Sequence, residues 1–232
     1  MTRVVLVGPR KAGNLGMTAR AMKNFGLSEL VLVAPECQID DESWGYAVRA
    51  RDVLENARIV DDLAAATADC TLIAGTTARD REQYSSPVHT PRSAAPILRQ
   101  ASQTSPVALV FGRENSGLTN QELDLCNLVV HIPSSPELPS LNLAQSVVIM
   151  AYELFNSEAG PASPPPAPGA QSEAFFAQLA EFLVTTGYTS SQHAETVLRP
   201  FRLIARRANL DAAEIQMLMG VISHGLHYRQ NP

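Results

Sequence analysis

The sequence predicts an α/β fold, a parallel sheet flanked by helices, followed by a small helical C-terminal extension. Three observations carry this expectation. Short β-branched runs alternate with longer helical patterns, as in a parallel sheet covered on both faces. The runs are continuously apolar rather than alternating, as strands buried on both sides are. A proline-rich stretch then separates this region from a purely helical tail.

In chain order, the strands are read at Val4–Val7, Leu30–Val33, Thr71–Ala74, Val107–Phe111 and Leu128–Ile132. Helical patterns cover Leu15–Phe25, Arg92–Gln100, Asn120–Leu125 and Leu143–Phe155. Ser157–Gln171 carries five prolines, which oppose both helix and sheet and favour extended, solvated chain. It divides residues 1–156 from the extension, 172–232. In that extension Ser172–Gly187, His193–Asn209 and Ala212–His227 read as helices, the middle one kinked or restarted at Pro200. Such a tail is too small for a large core of its own, so docking on the first domain or on a second subunit is expected.

Composition narrows the function. The chain has 232 residues and 45% hydrophobic residues, enough for one sizeable α/β core. A net charge of −5 excludes a generally basic nucleic-acid coat. Cys37, Cys70 and Cys126 are odd in number and widely spaced, with no pattern for a metal, and suit inert thiols in a reducing cytoplasm. No apolar run approaches the ~18 residues of a membrane span, and the N-terminus lacks a signal-peptide core.

Four loops rich in glycine or proline follow predicted strands: Gly8–Gly16, Gly75–Pro91, Gly112–Leu118 and Pro133–Asn142. In open parallel sheets the ligand crevice lies outside the carboxyl ends of the strands. Gly8 and Gly13 have P-loop spacing, but Asn14-Leu15 replaces the Lys-Ser/Thr that holds phosphate and Mg²⁺. A P-loop hydrolase is therefore disfavoured, as is a dinucleotide enzyme. Asn14 reads locally as a helix N-cap. Arg20 lies on the flank of the apolar face of Leu15, Ala19 and Met22, where an arginine is ordinarily solvated or ion-paired. Glu114 sits at a charged turn tip, either pairing with an arginine or holding one in position. The prolines of the last loop pre-set an extended path that can offer backbone groups to a flat ligand, and Asn142 caps the helix after it.

Together, NxGxxxR with AMKNFG (Asn14–Gly26), FGRExxGL (Phe111–Leu118) and IPxxPxxxSLNLAxSVxIxAYE (Ile132–Glu153) resemble the three motifs of the SPOUT superfamily, TrmH class. GTTARDR (Gly75–Arg81) and the tail pattern LRPFRLIARRANLDAAEIQMLMGVI are similar to the TrmJ-type tRNA (cytidine/uridine) 2′-O-methyltransferases within it. The resemblance covers nearly the whole chain outside the linker. It implies a C-terminal trefoil knot in the α/β fold, although chain connections almost never thread. It also implies a homodimer, S-adenosylmethionine as cofactor, no metal, and nucleotide 32 of a tRNA anticodon loop as substrate.

By motif position, the residues expected at the cofactor are Thr76, Thr77, Ala78, Gly112, Ile132, Pro139, Ser140 and Leu141. Arg20 is the expected catalytic contact, positioned with the ribose by Asn14, Glu114, Ser140 and Asn142. Arg10-Lys11 stands where relatives often carry Ser/Thr-His, and Ser135 where an Asn is common. The expected RNA contacts are local: Arg10, Lys11 and Lys23 near the N-terminus, and Arg199, Arg202, Arg206 and Arg207 in the acid-free stretch Thr196–Leu210. Two other readings stay open, a sister enzyme acting on another tRNA nucleotide or on ribosomal RNA, and a non-catalytic RNA-binding protein of the same fold.

Overall fold

The computed structural model describes residues 1–78, 88–158 and 166–230, without side-chain detail at 206, 207 and 228–230. Arg79–Arg81, residues 159–165 of the proline-rich linker and the side chains of Arg206 and Arg207 lie outside the described residues.

Strands β1 (Thr2–Val7), β2 (Glu29–Val33), β3 (Arg58–Val60), β4 (Leu72–Thr77), β5 (Val88–His89), β6 (Val107–Phe111) and β7 (Leu128–His131) form one sheet. Its order is β3-β2-β1-β6-β4-β7-β5, and each neighbouring pair is parallel. Successive side chains alternate between two apolar layers. Val4, Leu6, Leu30 and Leu32 face helices α1 (Ala12–Asn24), α2 (Asp41–Ala47), α3 (Arg51–Glu55), α5 (Pro91–Ala101) and α7 (Leu143–Asn156). Val5, Val7, Val31 and Val33 face α4 (Leu63–Thr67) and α6 (Asn120–Asp124). This two-sided burial is what the continuous apolar runs require.

The tail consists of α8 (Gly169–Thr185), α9 (Ala194–Ala208) and α10 (Ala212–Gln230). It has a small core of its own around Phe175, Phe176, Leu179, Leu198 and Ile215. It also docks on the same chain: the N–H groups of Gly169 and Ala170 donate to the carbonyls of Cys70 and Ala68. Helix α9 runs through Pro200 without restarting there, which corrects that part of the expectation. Strands β3 and β5 and helices α2, α3 and α4 were not anticipated. Each has seven residues or fewer, too few to show a period.

At the N-terminal edge of the sheet, Arg3 is 5% exposed and joins three elements. Its guanidinium donates twice to Asp69, at 2.6 and 3.0 Å, once to Glu29 at 2.6 Å and once to the Ala66 carbonyl at 2.7 Å. The hydrogen bond to Asp69 leads the effects that raise the Arg3 pKa, and it holds the Asp69 carboxyl below its ordinary value.

Candidate functional site

The loops after β1, β6 and β7 meet the C-terminal end of β4 at the C-terminal edge of the sheet. Helix α1 begins there with Lys11 at its N-cap position and no side chain of its own as cap. The Glu114 carboxylate, about a hundred residues on, supplies the missing acceptor. It receives the N–H of Arg10 at 3.1 Å and of Lys11 at 3.2 Å. A carboxylate at a helix N-terminus is favoured by the helix dipole.

Asn14 is thus not the N-cap expected from local sequence. It is the third residue of α1, 2% exposed, and its amide bridges two loops. Its Nδ2 donates to Glu114 at 2.8 Å, and its Oδ1 accepts from Asn142 Nδ2 at 2.9 Å. Asn142 does cap its helix, accepting from the N–H of Ala144 and Gln145. Glu114, Asn14 and Asn142 therefore tie the loops after β1, β6 and β7 into one frame. Glu114 is not paired with an arginine side chain among the described residues. The neighbouring Arg113 instead forms a two-pronged pair with Glu122, both bonds at 3.1 Å. Burial pushes the Glu122 carboxyl up, but hydrogen bonds from Arg113 and the Thr119 N–H outweigh it and leave the pKa lowered.

Beside this frame opens a pocket of about 230 Å³. Its lining includes all eight positions expected at a cofactor: Thr76, Thr77, Ala78, Gly112, Ile132, Pro139, Ser140 and Leu141. Gly112 is needed there, since a Cβ would run into the backbone of Gly117 and Leu118. Asn115, Ser116, Leu143 and Ser146 also line the pocket and were missed, although they adjoin the motifs in sequence. Ser140 stands in the wall, exposed.

Arg20 is not brought to this pocket. It is exposed, makes no hydrogen bond or ion pair among the described residues, and leaves α1 roughly 120° around the helix from Asn14.

The cations expected at RNA divide. Lys11 is exposed. Arg10 pairs with Glu36 at 3.0 Å, Lys23 with Asp52 at 2.6 Å and Arg199 with Asp124 at 3.7 Å. Arg202 departs from the expectation. Its side chain is 12% exposed, 2.6 Å from Glu173 and 3.7 Å from Glu195, and its guanidinium lies 4.4 Å from the centroid of the Phe176 ring. It is a structural cation of the tail, with little left to offer a phosphate. Among the described residues no cluster of three His, Cys, Asp or Glu could hold a metal. Burial raises the Cys70 thiol to about 11. No described helix is long and apolar enough to cross a membrane.

Comparison with known proteins gives a consistent result. Residues 1–152 match the SpoU rRNA Methylase family, and residues 170–231 match the C-terminal domain of the tRNA methyltransferase TrmJ. The chain is 40% identical over 229 residues to the tRNA (cytidine/uridine-2'-O-)-methyltransferase TrmJ of Pectobacterium atrosepticum, covering 95% of each chain. It is 39% identical to the enzyme of the same name from Yersinia enterocolitica, with 95% of this chain and 90% of the relative covered. The crystal structure of TrmJ from Z. mobilis ZM4 superposes with a TM-score of 0.85 at 35% identity, covering 97% of this chain and 98% of that one.

Proposed function

The chain belongs to the SpoU methylase family, and on that premise we propose that it methylates the ribose 2′-hydroxyl of a cytidine or uridine in tRNA, at nucleotide 32 of the anticodon loop. The observation that carries this reading is the Glu114–Asn14–Asn142 frame set against a pocket lined by all eight expected positions. The family's methyl donor is S-adenosylmethionine, whose sulfonium supplies an already electrophilic methyl group. The pocket suits it: Ile132, Leu141 and Leu143 offer apolar walls to a flat ring, and the proline-rich loop offers backbone groups. The cradle at Gly112 has no room for a side chain.

The chain's own residues must orient the 2′-hydroxyl and manage its proton. Ser140 lines the pocket, Asn142 stands between the lining residues Leu141 and Leu143, and Asn14 with Glu114 holds Asn142 in place. Arg20 is the catalytic contact. A guanidinium stays protonated in proteins, so Arg20 acts as a fork that grips the neighbouring phosphate and aligns the hydroxyl for in-line attack. Since Arg20 leaves α1 away from its own pocket, it serves the pocket of a second copy. The homodimer forms through the exposed stripe Val148, Tyr152 and Phe155 on α7, flanked by Phe25. We place the enzyme in the cytoplasm, where its three free thiols remain reduced. We also infer that the chain from β7 into α7 is threaded as a trefoil knot, in keeping with the end of β4 and the loops after β6 and β7 closing on one pocket.

Nucleoside mass spectrometry of unmodified tRNAs incubated with the protein and S-adenosylmethionine tests the proposal. A 2′-O-methyl pyrimidine at nucleotide 32 is expected. A mark at another nucleotide makes this a sister enzyme, and no mark on any RNA makes it a binding protein.

A further inference from the structure

Helix α2 lies against α1 at an unusually close approach. A Cβ at Gly16 would collide with the carbonyl of Ser43 and come within 2.8 Å of Tyr46 Cβ. A Cβ at Gly13 would lie 3.2 and 3.3 Å from Tyr46 Cε2 and Cδ2. The two glycines thus form a floor on which one edge of the Tyr46 ring rests. The residue remains 49% exposed, and its hydroxyl has no partner among the described residues.

Gly13, Gly16 and Arg20 follow one another at i, i+3 and i+7, so they share one face of α1. Long helical side chains lean back over the preceding turn. Arg20 thus leaves α1 on the same face as Gly16, against which Tyr46 packs. The segment that presents the ring is strained: Val48, where α2 ends, has φ 52° and ψ −104°. That conformation is unfavourable for a β-branched residue, and such strain persists where the surrounding structure enforces it. The acids of the first turn of α2, Asp41 and Glu42, disfavour phosphate on the Gly13 side of the ring, so a phosphate contact falls to the Arg20 side. What the surface offers there is an aromatic face beside a cation, which suits a base rather than the backbone.

We propose that Tyr46 is the stacking platform for the base of the nucleotide being methylated, holding it while Arg20 grips the adjoining phosphate. This rests on the methyltransferase reading above and adds how the base is recognised. Every base has a π-face, so a stacking contact accepts cytidine and uridine alike.

The test uses full-length protein, a tRNA transcript, and the same transcript made abasic at the methylated nucleotide. Tyr46→Ala is expected to raise the KM for tRNA roughly 10-fold, with kcat less affected and S-adenosylmethionine affinity by calorimetry unchanged. Tyr46→Phe is expected to restore the KM, because stacking needs the ring and not the hydroxyl. On abasic tRNA, wild type and Tyr46→Ala are expected to perform equally. The assignment is overturned by a wild-type KM for Tyr46→Ala, by a penalty that persists on abasic tRNA, or by a Phe variant as impaired as the Ala variant. A shift of Tyr46→Ala from dimer to monomer in sedimentation also overturns it, making Tyr46 an interface residue. A wild-type protein that methylates no tRNA overturns both this assignment and the reading beneath it.

Discussion

Two arginines, one at the edge of the sheet and one on a helix that covers it, show how partner saturation separates a structural cation from a working one. Arg3, at the N-terminal edge, is 5% exposed and has its guanidinium engaged by two carboxylates and a carbonyl. Arg20, in the second half of α1, is exposed and has no partner among the described residues. Desolvating a charge is costly unless it is paired, so a buried arginine must be fully engaged to exist there at all. An arginine left unpaired on an exposed helix face keeps its donors for a ligand.

The largest expected effect breaks the contrast on the functional side. Arg20→Ala should lower kcat by roughly 10³-fold, the scale of a lost transition-state donor, with S-adenosylmethionine affinity and the urea midpoint unchanged. Mixing this variant with Asn142→Ala should restore activity if Arg20 serves the partner's pocket, because a mixed dimer then holds one complete site. Failure of Arg20→Ala to slow tRNA methylation removes Arg20 from the site.

Arg3 should respond in the opposite way. Arg3→Met strands Glu29 at low exposure and removes the bond network at Asp69. Breaking a buried pair costs about 3–5 kcal/mol, and because Asp69 is 58% exposed and returns readily to water, the low end is expected. For a chain of this size that is a fall in Tm of about 10 °C, read by calorimetry, while kcat measured well below Tm stays at the wild-type value. A loss of kcat without loss of stability would erase the distinction between the two arginines.

Glu114 stands between these extremes, since it both caps α1 and anchors Asn14. Glu114→Gln can still accept from the N–H groups of Arg10 and Lys11 but loses the charge that favours the helix N-terminus. About 1 kcal/mol of stability should be lost, with a kcat reduction of roughly 10-fold from a looser frame. Equal losses in Glu114→Gln and Glu114→Ala would show that the charge, not the acceptor geometry, does the holding.

The same contrast explains what the sequence revealed. Five strands announced themselves because burial on both faces makes them continuously apolar. Strands β3 and β5 and the short helices between β2 and β4 did not, because two to seven residues carry no period. Around the pocket, the motif residues were found by pattern, whereas the cap of α1 was misread. Asn14 has the composition of an N-cap, and the true acceptor, Glu114, is distant in sequence and invisible to any local rule. Arg202 failed likewise: helical spacing placed it on a basic face, but Glu173 on a different helix and the ring of Phe176 claim it.

The smallest effect is a pH slope that only the structural edge should show. Arg3 holds the Asp69 carboxyl below its ordinary value in the folded protein, while the unfolded carboxyl titrates near the reference value of about 3.9. A depressed folded pKa means that the unfolded chain binds the proton first on acidification. The contribution of Asp69 is then complete above about pH 4 and disappears as pH falls through the lowered folded value. Because Asp69 is 58% exposed, solvent screening keeps this contribution small. Urea unfolding between about pH 3 and 7 should therefore show a slightly shallower acid limb for Asp69→Asn than for wild type. Arg20→Ala should leave that limb untouched, since Arg20 has no carboxylate partner among the described residues. A steeper acid limb in Asp69→Asn would mean that the Arg3 cluster is held mainly by Glu29, and that the saturation of Arg3 does not depend on the exposed acid.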